Sequence, residues 1–556
     1  MAGSAAGTRG KTLLWFAIVI VGLALCAPWG NIPRDQADSA GMLAHLHAYF
    51  VDGDLLYDNE YARLNMSPLF AFVTGEGVVS NHWPAGATWL QLPGYALGLS
   101  AGHVLAMLGV GDASTLGVIP VLGLRAWACL VLGGVLAVIG RQAARATQGS
   151  PRQKLAVGTA VAMVFALGTP LLYYTVEAPL RPHLWGAASV LALVRVWMRT
   201  DIAADRPWAR TLLLALLAGL AATVRPQLAP LALLVVHDAW SGEGRARRLL
   251  VAVAGLALWP ALHLRTQLWI YGADLSDYAG EVTLHLEYFL VSPHHGLLLW
   301  CPVAIVAAAA VARAARRNER GAIVIALLLA HQIWLDSGMR PIDVESVLGT
   351  RTWAGGTGFA ARKLVDVVPL LLPATLSLVR AGSTAKWGKP LLAGTLLLSL
   401  PTALLHAAAF LSPDRTTGAL IGSMSALGEL MQLPLRHQAW SAALQARAVP
   451  LSVPLVISAV VTLPLAVVGY RLGSGLRLAT RSARVNLGLA ALLGGGAVAH
   501  LWLSAMQVRS DAALVAAPQR MVAAKRQLNP RHRATVGRIE GHHARMRAVL
   551  GQGAAP

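Results

Sequence analysis

The chain has 556 residues, 56% of them hydrophobic and only 13% charged, and its 46 Lys+Arg against 26 Asp+Glu give a formal charge of +20. Soluble domains carry about 25% charged residues, so soluble classes are excluded, and apolar runs near the ~20-residue bilayer-crossing length recur along the sequence. A positive balance in a soluble protein would point to nucleic acid; here the basic residues sit in short loops and set orientation in the membrane, so no nucleic-acid partner is expected.

The first apolar run, 12–29, follows Arg9 and Lys11 and is longer than a signal-peptide core, which makes it a retained helix with its N-terminus in the cytoplasm. Further spans are expected near 115–140, 155–173, 184–198, 210–223, 227–240, 248–266, 296–313, 321–336, 364–380, 390–411, 451–470 and 486–506. The expected fold is all-α and polytopic, with about thirteen spans. Residues 1–506 form one membrane domain, and 507–556 form a basic polar tail. The basic loops 141–154, 199–210, 241–248, 313–320, 380–389 and 471–484 are assigned to the cytoplasmic side, and the acidic and aromatic segments between them to the outer side. Cys26, Cys129 and Cys301 lie in apolar runs without metal-ligand spacing, so neither a disulfide nor a metal site is assigned. No cofactor is expected, and no spacing indicates a divalent cation.

The first outer loop, 30–114, is the leading site candidate. Residues 30–83 hold seven of the 26 acids: Asp35, Asp38, Asp52, Asp54, Asp58, Glu60 and Glu76. If the chain turns helical at Asp38, the periodic Met42, Leu46 and Tyr49 lay an apolar face on the membrane surface; the alternative role for Asp38 is an N-cap. Residues 84–109 are long enough to span, but the charge pattern of the later loops favours an interfacial helix rich in Trp, Tyr and Pro.

Four later segments add polar groups. Glu177, Arg181 and His183 lie between two spans, with a solvated loop and a snorkelling Arg181 as the alternative. Arg225, in A-A-T-V-R-P-Q-L, falls between two short spans that form a broken pair; an Arg in apolar sequence needs a partner, either a phosphate or an internal carboxylate. Ser292, His294 and His295 precede a span, where a helix N-terminus favours anions. Gly355, Gly356 and Gly358 are followed by Arg362 and Lys363, without P-loop spacing.

In order, these segments resemble the GT-C class of integral membrane glycosyltransferases, in particular the bacterial protein-mannosyltransferase and lipid A aminoarabinose transferase group. N-H-W-P-A-G-A-T-W-L is similar to the family's h-P-P-G stretch, with one proline kept. S-P-H-H-G-L-L-L-W-C-P is similar to its S-P-x-x-G-L-x-x-x-x-P, and W-A-G-G-T-G-F-A-A-R-K-L to its W-x-G-G-x-x-F-G-x-R-x-L, with Ala360 in place of Gly. The likeness covers most of residues 1–380. The family's D-E-x-x-Y form is absent, since Ser39 and Ala40 follow Asp38.

The resemblance implies sugar transfer from a polyprenyl-phosphate-linked donor to a glycan, lipid or protein acceptor, at the outer face of the cytoplasmic membrane and among its lipids. It implies inversion, with Asp38, or Asp35 beside it, as general base. Arg225 and Arg362 would neutralise the phosphate. Lys363, His183, His294, His295, Glu177, Asp52 and Asp54 are the further substrate-binding candidates. The alternatives are a lipid or polysaccharide transporter or flippase, and a GT-C-like protein without activity.

Overall fold

In a computed structural model the described residues are 37–54, 56–64, 72–73, 79–81, 83–109, 114–176, 178–199, 201, 206–241, 243–271, 289–290, 297–338, 362–385, 387–400, 402–403 and 406. The spans expected at 12–29, 451–470 and 486–506, and the tail, lie outside them. The described chain is helical, apart from a two-residue antiparallel pair, β1 (Phe72–Val73) with β2 (Val79–Ser80).

The first outer segment folds as α1 (Ala37–His47), prolonged by one π-helical turn, Ala48–Asp52, that closes on Gly53 at φ 74°, and then α2 (Asp58–Arg63). Positive φ at Gly53 lets the chain leave the helix where a side chain would be strained. α1 does not lie on a membrane surface. Met42, Leu43 and Leu46 are fully buried in the protein core with Tyr57, Tyr61 and Tyr95. Its small residues Ala40, Gly41 and Ala44 let neighbours close around it, so burial is all-round and not one-sided.

α3 (Gly86–Met107) is a single 22-residue helix antiparallel to α4 (Val118–Ala146). A side chain on Gly98 would strike the backbone of Pro120, and one on Gly123 would strike the backbone of Gly94 and Gly98, so these helices meet backbone to backbone. Small residues at such crossings are characteristic of helix pairs in membranes. Residues 84–109, expected at the interface, thus lie alongside the start of α4. The opposite side of α3 exposes Leu97, Val104 and Met107.

α5 (Pro151–Leu167) starts with Pro151 at its first position and a reciprocal Ser150–Gln153 capping box, the sequence signature of a helix start. Gly168 and Pro170 then divide the expected 155–173 span, leaving α6 (Leu171–Val176) fully buried. α7 (His183–Met198) and α8 (Pro207–Val224) follow. α8 stops at Arg225, whose extended φ −150°, ψ 119° is what a residue before proline adopts. A 3-10 turn, Pro226–Leu231, leads into α9 (Ala232–Trp240), so the broken pair expected here is present.

Beyond it come α10 (Arg245–Tyr271), α11 (Leu297–Trp300), α12 (Val303–Arg316) and α13 (Ala322–Gly338). A 3-10 segment, Arg362–Leu371, continues as α14 (Leu372–Thr384), and α15 (Gly388–Leu398) follows. Among the described residues three helices are long and apolar enough to cross a membrane: Val118–Ala146, Pro207–Val224 and Leu364–Thr384. Leu250 and Val253 on α10, and Ile323 and Leu327 on α13, are more than half exposed. Apolar surface of this extent belongs against lipid.

Candidate active site

Asp38 lies in the first turn of α1, where the helix dipole favours a carboxylate. Its side chain is 30% exposed. Oδ1 accepts the indole N–H of Trp83 at 3.1 Å, and Oδ2 lies 3.7 Å from Nε of Arg181. Trp83 belongs to the N-H-W-P segment, and the surrounding sequence fixes its position. The Asn81 side chain donates to the Gly41 carbonyl at 2.6 Å and accepts the Trp83 backbone N–H at 3.2 Å. His45 Nε2–H donates to the Trp83 carbonyl at 2.7 Å, which leaves Nδ1 to accept the Tyr57 hydroxyl at 2.9 Å. Gly41 completes the fit: a Cβ there would fall 2.3 Å from the indole.

Arg181 sits in the turn between α6 and α7 and is buried, so it does not snorkel. The turn is tied down by Gln91, which donates to the Leu180 carbonyl, and by Trp185, which donates to that of Pro179. Arg181 also hydrogen-bonds Tyr174, whose ring lies 4.3 Å from that of His183. His183 Nδ1 accepts from Arg225 at 2.8 Å, and Arg225 pairs with Asp366 in the 362–371 segment. Since Arg225 is always protonated, Nδ1 is an acceptor there, and its 3.6 Å approach to Asp366 is no hydrogen bond.

A row of contacts therefore runs from Asp38 through Arg181, Tyr174, His183 and Arg225 to Asp366, by a 3.7 Å ion pair at its start and a ring contact between Tyr174 and His183. It brings together three residues expected at the site, Asp38, His183 and Arg225, and supplies Arg225 with an internal carboxylate. Arg362 and Lys363 open the segment that carries Asp366; their side chains, like Asp35, Glu177, His294 and His295, lie outside the described residues.

The remaining first-loop acids stand elsewhere. Asp52 and Asp54 are fourteen and sixteen residues beyond Asp38, roughly 20 Å along the helix at 1.5 Å per residue. Asp54 accepts the Leu56 N–H at 3.1 Å as a turn-former, and Asp52 accepts from Asn59 at 2.6 Å. His47 Nδ1 faces both Asp52, at 3.1 Å, and Glu60, at 2.7 Å, while Nε2 meets the Thr115 hydroxyl at 2.8 Å. The ligand atoms of His47, Asp52 and Glu60 lie within 4.8 Å of one another, a separation that a cation can bridge. Burial pushes the Glu60 carboxyl above the usual carboxylate range, against the hydrogen bond from His47. Partial burial also raises Asp52, but the hydrogen bonds of Asn59 and Glu60 and the charge of His47 outweigh it and leave that carboxyl below the usual range.

Trp83 and Asp366 were not among the residues expected to act, and for Arg181 a solvated, snorkelling role was the alternative. For Asp366 a signal existed: a carboxylate inside L-V-D-V-V-P-L-L demands a cationic partner. No family model, curated protein or solved structure matches this chain.

Proposed function

We propose that the protein is a GT-C-like glycosyltransferase of the cytoplasmic membrane, with about thirteen spans and its site on the outer face. It would transfer a sugar from a polyprenyl-phosphate donor to an acceptor hydroxyl. The observation that carries this reading is the setting of Asp38: a partly exposed carboxylate, oriented by the Trp83 N–H and backed by a buried guanidinium.

A carboxylate so held suits a general base, which must come within hydrogen-bond reach of the proton it removes. Asp38 takes the proton of the acceptor hydroxyl as that oxygen attacks the anomeric carbon. The bond from that carbon to the phosphate oxygen breaks on the opposite side, its electron pair leaves with the polyprenyl phosphate, and configuration inverts. Arg181, the cation nearest the base, together with Arg362 and Lys363, offsets the negative charge on the departing phosphate. Arg225, already matched by Asp366, positions His183 at the start of α7.

The test uses membranes supplied with lipid-linked sugar and a range of acceptors. Asp38→Asn is expected to abolish transfer while insertion and abundance stay unchanged; full transfer by that variant overturns the reading. Sugar-lipid movement across proteoliposomes without covalent transfer would instead identify a carrier.

A further inference from the structure

The far end of α7 carries a second concentration of charge. Trp197 lies fourteen residues from His183, roughly 21 Å at the helical rise. There the ends of α7 and α12 and one side of α14 border an open cleft of about 610 Å³ lined by Arg313, Arg317, Arg320 and Arg380, with Glu319 as the one carboxylate in the lining among the described residues.

Among the described residues, internal pairing does not account for these arginines. Glu319 accepts the hydroxyl of Ser377, which in turn accepts from Arg313 at 3.3 Å. Arg320 packs over Trp197 at 5.8 Å and donates to Asp238 at 3.1 Å. That buried carboxylate already holds Arg210 at 2.5 Å and Arg248 at 2.6 Å. Three helix C-termini add about half a negative charge each, so four arginines against Glu319 still leave an excess of about 1.5 positive charges among the described residues. Arg317 and Arg380 have no side-chain partner among the described residues. Orienting the chain requires basic loops only on one side of the membrane; it does not require four guanidinium groups to converge.

We propose that this cleft binds a phosphate group, which guanidinium forks grip in pairs. The source can be the headgroup of an anionic lipid or a soluble phosphate. Exposed Ile323 and Leu327 on the first turns of α13, just past Arg320, provide an apolar surface suited to a lipid's chains. Basic pockets between spans on the cytoplasmic side are suited to anionic headgroups.

The full-length protein is placed in nanodiscs of phosphatidylcholine, with or without phosphatidylglycerol, and its melting is followed with and without inorganic phosphate. A rise in melting temperature with phosphatidylglycerol identifies a lipid source; a rise with inorganic phosphate in phosphatidylcholine alone identifies a soluble one. Either rise should disappear in Arg317→Gln/Arg380→Gln and persist in Arg141→Gln/Arg145→Gln, which removes equal charge from the last turns of α4. Binding of fluorescent phosphatidylglycerol, or of inorganic phosphate, should weaken about tenfold or more in the first variant, as losing charged hydrogen bonds implies. If that variant gives no melting transition, Arg317→Lys/Arg380→Lys replaces it and should still weaken binding, since lysine keeps the charge without the fork. No rise in the wild type with either probe, or equal responses from the wild type and the cleft variant, overturns the proposal.

Discussion

Trp83 and Asp38 are joined by a single 3.1 Å hydrogen bond from indole N–H to carboxylate, and the indole rests on the bare backbone of Gly41, one turn along the same helix. Orientation of the proposed base thus depends on a ring held by Asn81 and His45 and on the absence of a side chain at position 41.

Trp83→Phe keeps most of the ring and removes the donor. Losing one hydrogen bond to a charged group is worth about 1.5–3 kcal/mol, so transfer should slow by roughly ten- to a hundredfold, with a loss of stability as well because the smaller ring leaves a cavity at a buried position. Single-turnover assays on membranes check this, and an unchanged rate would show that the indole does not orient Asp38.

Gly41→Ala places a methyl group inside the van der Waals radius of the indole. Overpacking of this kind costs about 1–3 kcal/mol. A lowered melting temperature together with reduced transfer is expected; Gly41→Ala/Trp83→Phe should recover little, because a benzene ring on the same Cβ still meets the methyl group.

Arg225 and Asp366 form a buried pair, so removing either partner should cost about 3–5 kcal/mol. The Arg225→Met/Asp366→Leu double variant should be less destabilised than the two single changes added together. Chemical denaturation in detergent measures the cycle; additivity would mean that the pair does not act as a unit.

The Glu60 carboxyl is raised by burial, so the folded state holds its proton more tightly than the unfolded chain does. That contribution is complete below the unfolded value near 4.3 and is lost as pH rises through the folded value. Hydrogen exchange across α1 and α2 should therefore become faster, relative to its intrinsic rate, as pH climbs from about 4.3. Glu60→Gln should flatten the trend, and an unchanged slope in that variant would assign the effect to another group.

Much of this arrangement was written locally in the sequence. The stop at Arg225 follows from the proline after it, α5 announces itself through Ser150, Pro151 and Gln153, and the acid-rich first loop singled out Asp38. What could not be read was long-range. The Met42, Leu46, Tyr49 spacing implies one apolar face, yet α1 is enclosed on all sides because Gly41 and its alanines admit α3 and Trp83. Arg181 looked like a solvated loop residue, and only the packing of α6 against α7 buries it. The partner of Arg225 lies 141 residues downstream, beyond the reach of any periodicity.

That separation has a consequence during synthesis. Asp238 meets Arg210 and Arg248 within 28 residues on either side, so two of its three arginines are in place almost as soon as their helices emerge, with Arg320 following 82 residues later. Arg225 has a neutral acceptor upstream, His183, but its carboxylate partner comes 141 residues later. At about 5–20 residues per second, the ribosome reaches Asp366 roughly 7–28 s after Arg225, and until then the guanidinium lacks its carboxylate. The Arg225–Asp366 pair therefore closes late in biogenesis, after most of the described helices have been made.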